Sequence, residues 1–168
     1  MARLLEELLE LSRIGRVVGE LVTCNLSRIA KQSVQMAEAK IYAIDAEVVV
    51  DDMPEVRVDR MRLTEVYQNL IENAIKFMGE QASPRIHIGC SEREGEACFF
   101  VRDNGIGIAP EYHDLVFGLF ERLGMDVDGT GVGLALVKRI VEVHGGKTWI
   151  ESDGPGTGTT VFFTLPAS

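Results

Sequence analysis

Three short stretches carry residues whose types and spacing could do chemistry. The first is Asp103-Asn104-Gly105-Ile106-Gly107-Ile108, which follows the apolar run Cys98-Phe99-Phe100-Val101 after Arg102. An ionised acid only accepts hydrogen bonds. At a strand end it suits the exocyclic amine of adenine and disfavours the carbonyl of guanine. The glycines let backbone approach a flat base closely, although an ordinary Asp-Asn-Gly turn accounts for this piece when it stands alone. The second is Asn69-Leu70-Ile71-Glu72-Asn73-Ala74-Ile75-Lys76-Phe77. Asn69, Asn73 and Lys76 fall at i, i+4 and i+7, one line on a helix. Amide oxygens are hard ligands suited to Mg²⁺, and a lysine beside them neutralises phosphate; a solvated polar face is the plainer alternative. The third is Gly129-Thr130-Gly131-Val132-Gly133-Leu134, leading into a helix whose first N–H groups would attract phosphate. Taken in this order, the three are the parts of an adenine-nucleotide site without a Walker loop.

Two decoys fail on context. Gly146-Lys147-Thr148 resembles the end of a Walker loop, but the required first glycine falls at Val141, and a helix precedes it where a strand is needed. His113-Asp114-Leu115 lacks the basic residue and proline of a phosphorylatable histidine motif, so His113 reads as a surface histidine and His87 and His144 as structural ones. Gly129–Gly133 is not a dinucleotide fingerprint, because the polar loop Gly124-Met125-Asp126-Val127-Asp128 stands before it instead of a buried strand.

Elements must position these residues. A chain of 168 residues defaults to one domain with a sizeable core. The net charge of −9 and the lack of a Lys/Arg run argue against a nucleic-acid partner. Cys24, Cys90 and Cys98 form no metal spacing and read as core thiols in a reducing compartment. No apolar run approaches the ~20 residues of a membrane span. Four glutamates in the first 20 residues are unlike a signal peptide, so the expected location is cytoplasmic, and the glycosylation pattern Asn25-Leu26-Ser27 reads as chance.

Residues 2–14 carry a leucine face (Leu4, Leu5, Leu8, Leu11) that calls for a partner helix, in cis or in trans. Val17–Cys24 reads as a short strand, then Asn25 as the N-cap of a helix with Leu26, Ile29, Ala30, Val34 and Ala37 at helical spacing. Glu47–Val50 and Val56–Val58 read as strands around the turn Asp51–Pro54, and Asp59 caps a helix running to Phe77 with Leu63, Val66, Leu70, Ile71 and Ala74 as its core face. Pro84–Ser91 and Ala97–Arg102 form a hairpin. Pro110 starts a short helix, Gly118–Gly129 is a loop, Gly131–His144 a helix, and Lys147–Glu151 and Thr159–Leu165 are strands. The fold class is α+β, a two-layer sandwich with a mixed sheet covered by helices on one face.

The set of motifs resembles the GHKL ATPase superfamily, and within it the catalytic ATP-binding domain of two-component sensor histidine kinases. The resemblance covers roughly residues 16–166. Asn69–Phe77 is similar to the N box, Asp103–Ile108 to the G1 box, Phe117–Arg122 to the F box, Gly129–Leu134 to the G2 box, and Gly158–Pro166 to the closing strand. The segments Phe117–Leu123 and Leu11–Arg16 look most like phytochrome-type kinases.

This resemblance implies a Bergerat fold with a mobile ATP lid around Gly118–Thr130, and the cofactors ATP and Mg²⁺. It implies Asn73 as Mg²⁺ ligand with Asn69 assisting, Lys76 on phosphate, Phe77 near the nucleotide, and Asp103 on the adenine amine. Gly105, Gly107, Gly129, Gly131, Val132, Gly133 and Leu134 would shape pocket and lid. Arg122 would reach the γ-phosphate, and Thr159 or Thr160 would sit near the base. Residues 1–15 would be the end of the second dimerisation helix and 16–168 the catalytic domain. The acceptor histidine would lie on a helix outside this chain, since no histidine precedes His87; the chain is expected to bind ATP without phosphorylating itself. Implied partners are its own dimerisation and phosphoacceptor domain, a homodimeric second copy, and the receiver domain of a response regulator. A non-catalytic ATP-binding scaffold and an anti-sigma-factor-type serine kinase are the alternative readings.

Overall fold

The computed structural model describes residue 5, residues 19–113, residue 117, and residues 133–154 and 156–166. Of the expected N-terminal helix, only Leu5 lies among them; it is helical and exposed.

The chain runs β1 (Val22–Asn25), α1 (Leu26–Met36), α2 (Glu38–Ala43), β2 (Glu47–Val50), β3 (Glu55–Val58), α3 (Arg60–Lys76), β4 (Arg85–Arg93) and β5 (Glu96–Asp103). A 3-10 turn (Pro110–Tyr112), α4 (Gly133–Val143), β6 (Thr148–Glu151) and β7 (Thr159–Thr164) follow. Five strands make a mixed sheet in the order β2-β4-β5-β7-β6; β2 pairs with β4 in parallel, and the other pairs are antiparallel. β1 and β3 form a separate antiparallel pair. α1, α3 and α4 pack side by side, with α1 also against β2, α3 against β5 and α4 against β6. This is the expected two-layer α+β sandwich.

Local chemistry sets the helix starts. Asn25 Oδ1 accepts the Arg28 N–H at 3.3 Å, and Asp59 Oδ1 accepts the Arg62 N–H at 3.3 Å, each satisfying a donor that a helix N-terminus leaves orphaned. Leu63, Val66, Leu70, Ile71 and Ala74 are all buried, and Tyr67 joins them with its ring edge-on to Phe163. α2 was not legible in the sequence: it has six residues and buries only Ile41, too short for a periodic stripe to stand out.

Alternation along β5 sends Phe99 and Val101 to the helix layer and Cys98 and Phe100 to the opposite face. That outer face closes over itself. Trp149 stacks on Phe162, the Arg93 guanidinium lies 4.3 Å from the Phe162 ring centroid, and Arg102 lies 4.9 Å from that of Phe100. Arg93 is in turn held by both oxygens of Glu151.

Candidate functional site

The site is built where β5 ends. Asp103 is the last residue of β5, opposite Thr159 on β7 and Ile86 on β4. Its Oδ1 accepts the Gly105 N–H at 2.9 Å, and its carboxylate also accepts the Thr159 N–H. Burial nevertheless dominates and pushes the carboxyl up from 3.8 to about 6, the two N–H bonds opposing the shift. An acid with this much desolvation and remaining acceptor capacity gains from a ligand that donates a hydrogen bond.

The loop after Asp103 is locked from two sides. On one side the Ile106 N–H donates to the Phe77 carbonyl at 2.9 Å, and a side chain on Gly105 would run into that same carbonyl. On the other lies the turn between β6 and β7. Gly156 N–H donates to Ile106 O at 2.6 Å and Gly158 N–H to Gly105 O at 3.1 Å. Gly107 sits at φ +74°, and a β-carbon there would stand 2.1 Å from the Gly154 carbonyl oxygen, an approach that only glycine permits.

Ser152 is a residue that sequence reasoning missed. Its Oγ accepts the Ile108 N–H at 3.1 Å and donates to the Gly158 carbonyl at 2.7 Å, so it clips the loop to the turn. Nothing in its local sequence signals this, because the partner lies 44 residues away.

α3 carries Asn69, Asn73 and Lys76 on the edge that faces away from its core stripe, all half-buried. Asn69 Nδ2 donates to the Glu65 carbonyl at 2.8 Å, one turn back. That leaves Oδ1 directed at the start of α4, where it would stand 3.0 Å from a β-carbon placed on Gly133. An oxygen acceptor thus faces a helix start, and Phe77 at the C-cap of α3 touches the glycine loop through its carbonyl, which accepts the Ile106 N–H. Leu134 is half-buried against the core in the first turn of α4, and Phe117 is buried in it.

Thr159 and Thr160 are separated by strand alternation. Thr159 serves Asp103, whereas Thr160 Oγ1 accepts from Arg102 Nε at 3.1 Å on the other face. Arg122, Gly129, Gly131 and Val132, and the expected lid around 118–130, lie outside the described residues. Among the described residues no three His, Cys, Asp or Glu side chains converge as a metal site. A solvent-open groove of about 710 Å³ between α1, α2 and β2, lined in part by Arg28, Lys31 and Val48, contains none of these residues.

Residues 58–168 match the family described as histidine kinase-, DNA gyrase B-, and HSP90-like ATPase. The chain belongs to that family. Relatives of this ATPase domain include the methanogenesis regulatory histidine kinase FilI of Methanothrix harundinacea (strain 6Ac), 45% identical over 99% of this chain and 19% of that protein. The phytochrome-like protein Cph1 of Synechocystis sp. is 36% identical over 99% of this chain and 22% of its own length. The chain therefore spans about a fifth of the length of these curated relatives. Among solved structures, histidine kinase ThkA in complex with response regulator protein TrrA superposes with a TM-score of 0.79 at 26% identity, covering 99% of this chain and 47% of that one. Full-length ShkA in complex with AMPPNP gives a TM-score of 0.81 at 24% identity over 99% of this chain and 36% of that chain, a likeness of fold. The Bergerat arrangement expected from the motifs is the one observed. Among the described residues, no helix is long and apolar enough to cross a membrane.

Proposed function

We propose that this chain is the ATP-binding catalytic domain of a sensor histidine kinase. It would present Mg-ATP so that the bond from the γ-phosphorus to ADP breaks as a bond to a histidine nitrogen forms, that histidine lying on a dimerisation helix outside these 168 residues. The observation that carries the adenine half is Asp103, a desolvated carboxylate fixed by Gly105 and Thr159 at the mouth of a glycine loop. It would accept the adenine amine, and the tight packing of backbone at Gly105 and Gly107 would hold the loop in place beside it.

The phosphate half rests on α3. The Asn69 amide oxygen faces Gly133, and with the neighbouring Asn73 and Lys76 it would form a wall of hard oxygen and positive charge. These residue types fit Mg²⁺, which takes few protein ligands and shares itself with phosphate oxygens. When bound, the ion would neutralise charge on the transferring phosphoryl group. Gly129, Gly131, Val132, Gly133 and Leu134 would supply N–H groups and lid hinge, and Arg122 a further phosphate contact.

Residues 1–15 fit the end of a second dimerisation helix, with 16–168 as the catalytic domain. A homodimer, a cytoplasmic location and relay to a receiver domain follow from this reading, and the ThkA complex with a response regulator supports the last. The test is calorimetric titration with Mg-ATP, Mg-GTP and metal-free ATP. ATP selectivity with a clear Mg²⁺ requirement is expected; equal binding of GTP would remove the role given to Asp103.

A further inference from the structure

Asp59 does more than cap α3. Its Oδ1 accepts the Arg62 N–H at 3.3 Å and its Oδ2 accepts the Gly19 N–H at 2.8 Å. Its own backbone N–H donates to His144 Nε2 at 3.1 Å, and His144 Nδ1 lies 2.8 Å from the Ile140 carbonyl. An acceptor at Nε2 fixes the imidazole as its Nδ1–H tautomer, with Nδ1 donating to that carbonyl. Asp59 is 9% exposed, so these bonds are partly sheltered from water. A side chain on Gly19 would meet Asp59 Oδ2 at 2.6 Å, so the incoming chain is packed directly on the carboxylate.

One residue therefore touches three parts of the molecule: the incoming chain at Gly19, the start of the helix bearing Asn69 and Asn73, and the end of the helix that begins at Gly133. We infer that Asp59 is a positioning residue that couples the chain entering the domain to the far ends of both helices of the nucleotide site. Its functional weight rests on the histidine-kinase reading, in which that incoming chain leads to the phosphoacceptor helix. The side chain supplies the link to Gly19 and the backbone supplies the link to α4.

Asp59→Asn separates the two duties, since the amide can still cap Arg62 but turns an N–H towards Gly19. Gly19→Ala cuts the same contact from the other side, and His144→Leu removes the acceptor at α4. The readouts are hydrogen exchange at the Gly19 amide and the ring ¹⁵N resonances of His144, both in the 168-residue chain without nucleotide. Losing a bond to a charged acceptor is expected to speed Gly19 exchange about tenfold or more in Asp59→Asn. His144→Leu should also speed it in the wild-type background and add nothing in Asp59→Asn, and Gly19→Ala should shift the His144 ring signals. Gly19 exchange within twofold of wild type in His144→Leu, or His144 signals unmoved in Gly19→Ala, would overturn the coupling. Because no arm uses nucleotide, a failure to bind ATP would count against the proposed function and leave this result readable.

Discussion

Asp103 is asked to do two opposed things. The fold desolvates it, and a ligand amine would need it charged. Its carboxyl, raised to about 6, favours the protonated form in the folded state. That contribution to stability is full below 3.8 and is lost as pH rises through about 6. Thermal melts of the ligand-free protein should therefore show a decline over this window that Asp103→Asn lacks. Nucleotide affinity should run the other way, falling as pH drops below about 6, and isothermal titration from pH 5 to 8 reads it directly. Ser152 works through geometry alone. Ser152→Ala leaves the Ile108 N–H without its partner, so about 1–2 kcal/mol of stability should be lost, with a matching weakening of nucleotide binding as the glycine loop loosens; denaturant titration and calorimetry separate the two.

The elements divide cleanly into those that local sequence specifies and those that only the assembled fold does. α3 was legible because two patterns with one period run along it, apolar residues at Leu63, Val66, Leu70 and Ala74 and polar ones at Asn69, Asn73 and Lys76. The β4–β5 hairpin was legible because turn residues separate two apolar runs. α2 was not, for want of length, and neither were the contacts of Ser152 and Asp59, which join residues 44 and 40 positions apart. Strand register, invisible in the sequence, sets Thr159 opposite Asp103 and the Thr160 hydroxyl on Arg102. The two faces of α3 should respond differently to truncation. Leu70, 1% exposed, should cost about 2–5 kcal/mol as Leu70→Ala in chemical unfolding. Asn73→Ala, on the half-buried polar edge, should leave unfolding within about 1 kcal/mol yet strip nucleotide binding of its Mg²⁺ dependence.

At the scale of the whole molecule, each of the three histidines already has a structural partner. His87 Nε2 lies 2.7 Å from Asp51, His113 Nε2 lies 2.9 Å from the Ile108 carbonyl, and His144 bridges Asp59 and Ile140. None offers an acceptor nitrogen on an exposed helix. Incubation with radiolabelled Mg-ATP should therefore leave no acid-labile phosphate on this chain alone, and adding a dimerisation domain that bears a histidine should produce label on that domain. The measurement that bears most directly on the central claim is the calorimetric comparison of Mg-ATP with Mg-GTP on wild type and Asp103→Asn. The wild type should bind ATP selectively, and the variant should lose at least about tenfold in affinity, the worth of one charged hydrogen bond. A folded wild type that binds neither nucleotide, or a variant that binds ATP as well as wild type, would contradict it.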